Sequence, residues 1–209
     1  SPAIEAILAE HEGQGRTTRL LASASEVLAI FAVADTIKDS SRAALEHLHR
    51  LGVRSVMLTG DNPLTARTIA AQAGIDDARG DLLPEDKLRV ITELQAAHGA
   101  TAMTGDGIND APALARADIG FAMGGTGTDT ALEAADVVVM NDDLRRIPET
   151  IELSGRTHRL LWQNIAFALG VKLVFLLLAL FGEATMWMAV FADMGASLIV
   201  VFNGLRILR

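Results

Sequence analysis

A polar turn decides the fold: Met103-Thr104-Gly105-Asp106-Gly107-Ile108-Asn109-Asp110-Ala111-Pro112-Ala113-Leu114. The short run before it, Thr101–Met103, predicts a strand, and the residues after it predict a helix. Between the two, residues 106–110 contain two carboxylates and one amide. Carboxylates in such a turn suit Mg²⁺, which takes one or two of them together with waters and phosphate oxygens. Asp106, Asn109 and Asp110 are therefore candidate site residues.

A second polar cluster, Thr59-Gly60-Asp61-Asn62, follows the predicted strand Arg54–Leu58. The threonine hydroxyl and the flexible glycine N–H suit a phosphoryl oxygen. Lys87 lies in the first turn of a helix opened by Pro84, where one cation could neutralise a phosphate. Each of these pieces taken alone is more typical of a plain turn than of a binding site.

Strands and helices alternate along the first 150 residues, and this alternation predicts an α/β fold with a parallel sheet. Sites in such sheets form at the carboxyl ends of strands, where both polar clusters fall. The predicted strands are Arg19–Ala24, Val27–Val33, Arg54–Leu58, Thr101–Met103, Ile119–Met123 and Val137–Met140. The predicted helices are Ser40–Leu51, Leu64–Ala73, residues 84–97 and a helix that ends at Arg116.

Charge is unevenly distributed along the chain. Residues 1–155 carry 24 acidic and 13 basic side chains (net −11), whereas residues 156–209 carry two acidic and five basic ones (net +3). The overall charge of −8 argues against a nucleic-acid partner, which requires a basic surface. The sequence contains no cysteine, which excludes a disulfide framework and a thiolate metal site.

Two apolar runs, Ile165–Phe181 and Ala184–Phe202, are 17 and 19 residues long and meet at a short turn. A bilayer core requires about 20 apolar residues in a helix, with a range of about 17–25. We therefore predict a transmembrane hairpin in contact with lipid, rather than a pair of buried core helices. Arginines flank both outer ends and none lies in the turn, which predicts that residues 1–155 are cytoplasmic.

Each apolar run contains one charge, and the two charges are equally far from the turn. Lys172 and Asp193 both lie about 16 Å from it, at about 1.5 Å per helical residue. A matched pair near the middle of a bilayer indicates function, with Asp193 as an oxygen ligand or counter-charge for a cation and Lys172 as the group that expels or replaces the ion after its release. The alternative is an ion pair that only fixes the helix register. A further alternative is that Met186, Met188 and Met194 are soft ligands for copper, although methionines in transmembrane helices are usually only apolar packing residues.

Four motifs, in order, resemble those of P-type ATPases. Residues 103–114 look like their hinge signature TGDGxNDxPAL, and Met57–Asn62 looks like their MLTGD segment. Leu83–Lys87 looks like their P-x-D/E-K lysine segment, and Ala34–Lys38 resembles the D-x-I/V-K segment that opens their phosphorylation domain. The resemblance covers nearly the whole chain. It implies a haloacid dehalogenase-like phosphorylation domain followed by a two-helix transmembrane hairpin.

The resemblance also implies the domain boundaries and the roles of individual residues. Residues 1–34 would end a nucleotide-binding domain, residues 35–150 would form the phosphorylation domain, and residues 151–209 would form a stalk and the last two transmembrane helices. The implied cofactors are Mg²⁺ and ATP. The implied site comprises Mg²⁺ ligands (Asp106, Asp110), phosphoryl-holding and catalytic residues (Thr59, Gly60, Asp61, Lys87, Asn109) and hinge residues (Asp35, Lys38).

One departure from the family pattern is large. The phosphorylated aspartate of the family lies in DKTGT, and that segment is absent from this sequence. Asp35 does not replace it, because Thr36-Ile37-Lys38 follows. We therefore expect a C-terminal piece of a larger pump, inactive alone, whose partners are the remaining domains of that pump.

The membrane helices resemble those of the zinc/cadmium/lead-exporting branch. Residues 164–172 resemble the penultimate helix of that branch, and residues 192–197 and 202–206 resemble its last helix. The resemblance implies ATP-driven export of a divalent heavy metal through an aspartyl-phosphate intermediate, in a bacterial plasma membrane. Two alternatives are a truncated, non-catalytic product that regulates a full-length pump and a membrane-anchored phosphatase.

Overall fold

The computed structural model describes residues 2–24, 26–33, 36–106, 110–124, 133–183 and 185–208. The chain divides into two compact units, Ser1–Pro148 and Glu149–Arg209. The first unit holds all the strands of the described ranges, and the second consists of helices.

The first unit begins with a helix that sequence analysis did not predict. Helix α1 (Pro2–Gly13) precedes an antiparallel hairpin of β1 (Thr17–Ala22) and β2 (Val27–Val33). Proline at the first position of a helix costs no hydrogen bond, and the Ala, Leu and Glu residues of this segment favour its continuation. Gly15 then has a φ of +75°, a conformation that reverses the chain before β1 and that glycine adopts without strain.

The rest of the unit alternates helices with parallel strands, as predicted. Helices α2 to α5 and strands β3 to β7 follow in the order α2 (Asp39–Arg50), β3 (Val56–Leu58), α3 (Pro63–Ala73), β4 (Asp77–Arg79), α4 (Pro84–His98), β5 (Ala102–Gly105), α5 (Ala111–Arg116), β6 (Ile119–Met123) and β7 (Val137–Val139). Strand β3 pairs with β4, and β6 pairs with both β5 and β7, all in parallel. Within the described ranges these strands form two separate ladders rather than one continuous sheet.

A small apolar cluster joins the two ladders. Leu58 at the end of β3 packs against buried residues of α4, β5, α5 and β6, namely Ile91, Met103, Ala113, Leu114 and Ala122. Residue Leu114 is fully buried and Ile91 is 2% exposed. Because Leu58 and Met103 share this core, the loops that follow β3 and β5 emerge from the same packed region.

The second unit is a helical hairpin. Helix α6 (Arg146–Leu180) begins well before the predicted apolar run Ile165–Phe181 and ends with it. Helix α7 (Met186–Gly204) is followed by a 3₁₀ turn (Leu205–Leu208). Between the helices, Gly182 has a φ of +77° and the Glu183 N–H donates to the Leu178 carbonyl at 3.0 Å. The Thr185 hydroxyl caps α7 by accepting from the Met188 N–H. Both helices are long and apolar enough to cross a membrane.

Candidate functional site

The Thr59–Asn62 loop is closed by hydrogen bonds to itself. The Thr59 hydroxyl accepts from the Asp61 N–H at 3.1 Å and donates to Asp61 Oδ2 at 2.9 Å. The Asn62 side chain caps α3 by accepting from the N–H of Thr65, a residue that is fully buried. Such side-chain to backbone bonds favour a turn over continuation of the strand. The chain therefore leaves β3 in a fixed loop.

Neighbouring segments hold the same loop from outside. The Thr59 carbonyl accepts from the Leu82 N–H at 3.1 Å, and the Asp61 carbonyl accepts from the Asp81 N–H at 2.7 Å. The Asp61 carboxylate accepts a further bond from the hydroxyl of Thr17, at the start of β1. Sequence analysis missed this last contact, because the two residues are 44 positions apart and Thr17 belongs to no motif.

Gly80 lies directly against the backbone of the loop. A Cβ placed on it would lie 2.6 Å from the Asp61 carbonyl oxygen and 2.8 Å from both N and Cα of Pro63. These are backbone atoms, which cannot swing aside as a flexible side chain does. Glycine at position 80 is therefore required for the close approach of the two loops.

Gly80→Ala is expected to destabilise the chain by about 1–3 kcal/mol, the usual range for forcing an extra methyl group into a packed site. Urea-dependent pulse proteolysis of the whole chain in detergent measures the change. Gly13→Ala is the matched control, because a Cβ there meets nothing within 4 Å. Equal stability of the two variants would show that the 59–63 backbone yields easily.

Lys87 and Asp110 form an ion pair at the end of the polar turn 106–110. Lys87 Nζ donates to Asp110 Oδ1 at 2.7 Å, and the two side chains are 15% and 12% exposed. Lys87 lies in the first turn of α4, and Asp110 lies at the N-cap position of α5. The structure thus joins two predicted site residues that are 23 positions apart.

Gly105 makes room for the Asp110 carboxylate. A Cβ on Gly105 would lie 2.8 Å from Asp110 Oδ2 and 2.9 Å from Asp110 Cβ. The absence of a side chain at the end of β5 therefore lets this carboxylate lie against the strand while its other oxygen faces Lys87. Residue Asp110 is consequently only 9% exposed.

The carboxylate one position past β5 has a different environment. Asp106 is exposed, in contrast to Asp110. Asn109, which the motif also assigns to the site, lies outside the described residues. Within the described ranges, no three His, Asp or Glu side chains come together as a metal cluster. Two carboxylates are nevertheless enough for Mg²⁺, which keeps several waters and binds phosphate oxygens.

Electrostatics at the start of α4 are set by its neighbours. The Asp86 carboxylate accepts from the Arg89 guanidinium at 2.8 Å and from the Leu83 N–H at 3.2 Å. These two bonds, with the Arg89 bond the stronger cause, lower the pKa of Asp86 below its ordinary value. Asp86 therefore stays ionised and closes the first turn of the helix that carries Lys87.

Of the two predicted hinge residues, the one that the structure describes does not join this cluster. Lys38 is exposed at the N-cap position of α2, where its carbonyl accepts from the Ser41 and Arg42 N–H groups. Asp35 lies outside the described residues.

The second unit contains the other predicted pair. Lys172 Nζ lies 3.8 Å from Asp193 Oδ1, as their equal distance from the turn predicts. The two side chains are 68% and 65% exposed. Opposite charges in contact on two membrane-length helices reduce the cost of placing each one in hydrocarbon.

Comparison with known families identifies the class of protein. Residues 2–118 match the haloacid dehalogenase-like hydrolases. This range is more than half of the chain, and it contains both polar loops and the Lys87–Asp110 pair. The chain belongs to this family of hydrolases.

Within that class the homologues are metal-transporting P-type ATPases. The chain is 49% identical over 199 residues, 95% of its length, to the probable cadmium-transporting ATPase of Alkalihalophilus pseudofirmus. It is 45% identical over 207 residues, 99% of its length, to the zinc/cadmium/lead-transporting P-type ATPase of Escherichia coli. The resemblance indicated by the four motifs is confirmed.

A solved structure gives the same result. The crystal structure of a zinc-transporting PIB-type ATPase in the E2·Pi state matches all of this chain with a TM-score of 0.86 and 44% identity. The chain spans 28% of each of the two relatives and 34% of that structure. For this chain, the transport activity of those longer proteins is therefore a proposal.

Proposed function

We propose that this chain is the part of an ATP-driven pump that binds phosphoryl groups and carries a membrane ion site. The pump exports a divalent heavy metal ion, Zn²⁺, Cd²⁺ or Pb²⁺, from the cytoplasm across a bacterial plasma membrane. One observation carries the proposal: the same chain holds the buried Lys87–Asp110 pair beside a polar strand-end loop and the Lys172–Asp193 pair on membrane-length helices. The domain boundaries proposed from the sequence, 1–34, 35–150 and 151–209, suit this division.

The phosphoryl site would be built from the two polar loops. Thr59 and Gly60 hold phosphoryl oxygens, and Asp61 keeps the Thr59 hydroxyl in place through two hydrogen bonds. Lys87 supplies positive charge for the transition state, and its bond to Asp110 fixes the direction of the ammonium group. Phosphoryl transfer depends mainly on positioning and charge neutralisation, which are what these residues provide.

The carboxylates at the end of β5 fit Mg²⁺. Asp106 is exposed at the strand end, and Asp110, four positions later, has a carboxylate oxygen next to the Lys87 ammonium. Both would supply the hard oxygen ligands that Mg²⁺ prefers, and Asn109, by its place in the motif, would add an amide oxygen. When bound, Mg²⁺ would neutralise charge on the phosphoryl group. The aspartate that is phosphorylated would come from the remaining domains of the pump, which also complete the ATP site next to Asp35 and Lys38.

The membrane pair would handle the transported ion. Asp193 supplies oxygen ligands to the metal, and Lys172 neutralises the carboxylate when the metal has left. A contact of 3.8 Å is close enough for this neutralisation without a full hydrogen bond. The hairpin would lie in lipid, with residues 1–155 on the cytoplasmic side.

Labelling of native membranes with ATP carrying a labelled γ-phosphate tests this function, with and without Zn²⁺. We expect a zinc-dependent band much larger than 22.2 kDa that an antibody to this sequence recognises. Hydroxylamine should remove its label, because it cleaves acyl phosphates. Mg²⁺ without a heavy metal is the matched control. An antibody-positive band that stays unlabelled with Zn²⁺, Cd²⁺ and Pb²⁺ would overturn the proposal.

A further inference from the structure

A chain of side-chain hydrogen bonds links the middle of α6 to the C-terminal end of α7. Asn203 Nδ2 donates to Asn164 Oδ1 at 2.8 Å, across the two helices. Arg206 Nη1 donates to Asn203 Oδ1 at 3.0 Å, and Asn164 Nδ2 donates to the Val200 carbonyl at 3.5 Å. Sequence analysis missed these contacts, although asparagine next to an apolar run is a recognisable signal.

The guanidinium sets the direction of this chain. Arginine carries only donors, so the oxygen of the Asn203 amide must face Arg206. The amide nitrogen of Asn203 then faces Asn164, whose oxygen accepts and whose nitrogen donates onward to Val200. Each of the two amides therefore has only one orientation in which its oxygen accepts and its nitrogen donates to the neighbouring groups.

The two asparagines lie on the facing sides of the helices. Half-buried residues recur along α6 at intervals of three or four and include Asn164, Ala168, Val171, Phe175 and Leu178. On α7 the corresponding set contains Ala192, Gly195, Val200 and Asn203, with Ala196 buried. Lys172 and Asp193 are each adjacent in sequence to a member of these sets.

Apolar contacts alone would not fix how far one helix slides along the other. The side chains between Asn164 and Leu178 are all apolar within the facing set, so one alignment resembles another in energy. A slip of one helical turn moves a residue by about 5.4 Å, more than enough to separate Lys172 from Asp193. A buried amide left without a partner in hydrocarbon is costly, so the asparagines accept few alignments.

We propose that Asn164, Asn203 and Arg206 are positioning residues that fix the register of α6 against α7 and thereby hold Lys172 beside Asp193. Asn164 lies eight residues from Lys172, and Asn203 lies ten residues from Asp193, about 12 and 15 Å along their helices. The polar chain thus acts at a distance from the ion pair. The inference rests on the proposed function in one respect: the Lys172–Asp193 pair that these residues align is the proposed ion site.

Zero-length cross-linking measures the alignment directly. A membrane-permeant carbodiimide activates the Asp193 carboxylate, and the Lys172 amine attacks it. An amide forms, the reagent leaves as a urea, and the peptide loses one water, which mass spectrometry of the whole protein's digest detects. Asn164→Leu is expected to lower the yield about fivefold, within the range of a lost interhelical hydrogen bond. Gln163→Leu, the exposed neighbouring amide, should leave the yield unchanged.

Further variants separate register from folding. Asn203→Leu should reproduce the loss, and Asn164→Gln, which keeps an amide, should restore most of the yield. All variants are compared at equal membrane abundance. A wild-type yield in both leucine variants would overturn the proposal, as would an equal loss in Gln163→Leu.

The cross-link does not depend on transport, so the two proposals can fail separately. A yield that depends on Asn164 in a protein without metal-dependent turnover would refute the pump and support the register role. Metal-dependent turnover with a yield insensitive to Asn164 and Asn203 would support the pump and refute the register role.

Discussion

Asp193→Ala in the complete pump is expected to lower metal-stimulated ATP hydrolysis by about 100-fold or more, the cost of losing one well-placed electrostatic partner in a dry site. The substitution removes the proposed oxygen ligand. It also leaves Lys172, now 3.8 Å from the carboxylate, without its counter-charge, so that the ammonium repels the arriving cation. ATP hydrolysis in membrane vesicles over a range of Zn²⁺ and Cd²⁺ concentrations measures the loss.

The matched control for this experiment is Glu183→Ala. Glu183 is the other acidic residue of positions 156–209, and it lies in the exposed turn between the helices. Its removal changes the charge of the segment equally but leaves the Lys172–Asp193 pair intact. Metal-stimulated hydrolysis in Asp193→Ala equal to that of Glu183→Ala, at equal membrane abundance, would refute the ligand role.

Lys87→Met is expected to lower the rate of phosphoenzyme formation by about 10²–10³-fold, the usual loss when one charge-stabilising donor is removed from a site. Methionine retains much of the length of lysine but none of its charge, so the proposed transition-state cation disappears. Rapid-quench labelling at saturating ATP and metal measures the rate. Arg89→Met is the control, because Arg89 is an exposed cation on the same helix and pairs with Asp86 and Glu93.

A second variant separates catalysis from stability. Lys87→Met also strands the Asp110 carboxylate, which is 12% exposed, and an unpaired charge of this kind destabilises a fold. Lys87→Met with Asp110→Asn removes both charges. We expect it to regain stability but not phosphorylation, because it lacks both the proposed transition-state cation and one proposed Mg²⁺ ligand. Recovery of phosphorylation in the double variant would mean that Lys87 matters only as a structural partner.

The periodic parts of the fold could be predicted from the sequence, and the short ones could not. The helix that begins at Pro84 and the strand Val27–Val33 have strong local signals, and both appear as predicted. Strand β4 has only three residues, Asp77-Ala78-Arg79, none of which favours a strand. Pairing with β3 creates it, so its existence depends on tertiary structure rather than on local preference.

A similar distinction holds for the candidate site. Motif order identified Thr59, Lys87 and Asp110, because each lies beside a local turn or helix start. The contacts between distant residues, such as Lys87 with Asp110, needed the fold, since no spacing rule connects positions 23 apart across separate elements. The Lys172–Asp193 contact was predictable for the opposite reason: a tight turn between two regular helices converts sequence distance directly into depth.

The closed Thr59–Asn62 loop has a consequence for product release. Its threonine hydroxyl already donates to the Asp61 carboxylate, so a phosphoryl oxygen gains that hydrogen only by displacing another anion. The Asp61 carboxylate therefore competes with any bound phosphoryl oxygen for the Thr59 hydroxyl hydrogen. In a pump that uses this loop, the Asp61 carboxylate would regain the Thr59 hydrogen bond as soon as inorganic phosphate begins to leave. The regained bond would weaken rebinding of the phosphate. In such a pump, free phosphate, which arrives without the energy of a tethered substrate, would compete poorly for the same hydroxyl.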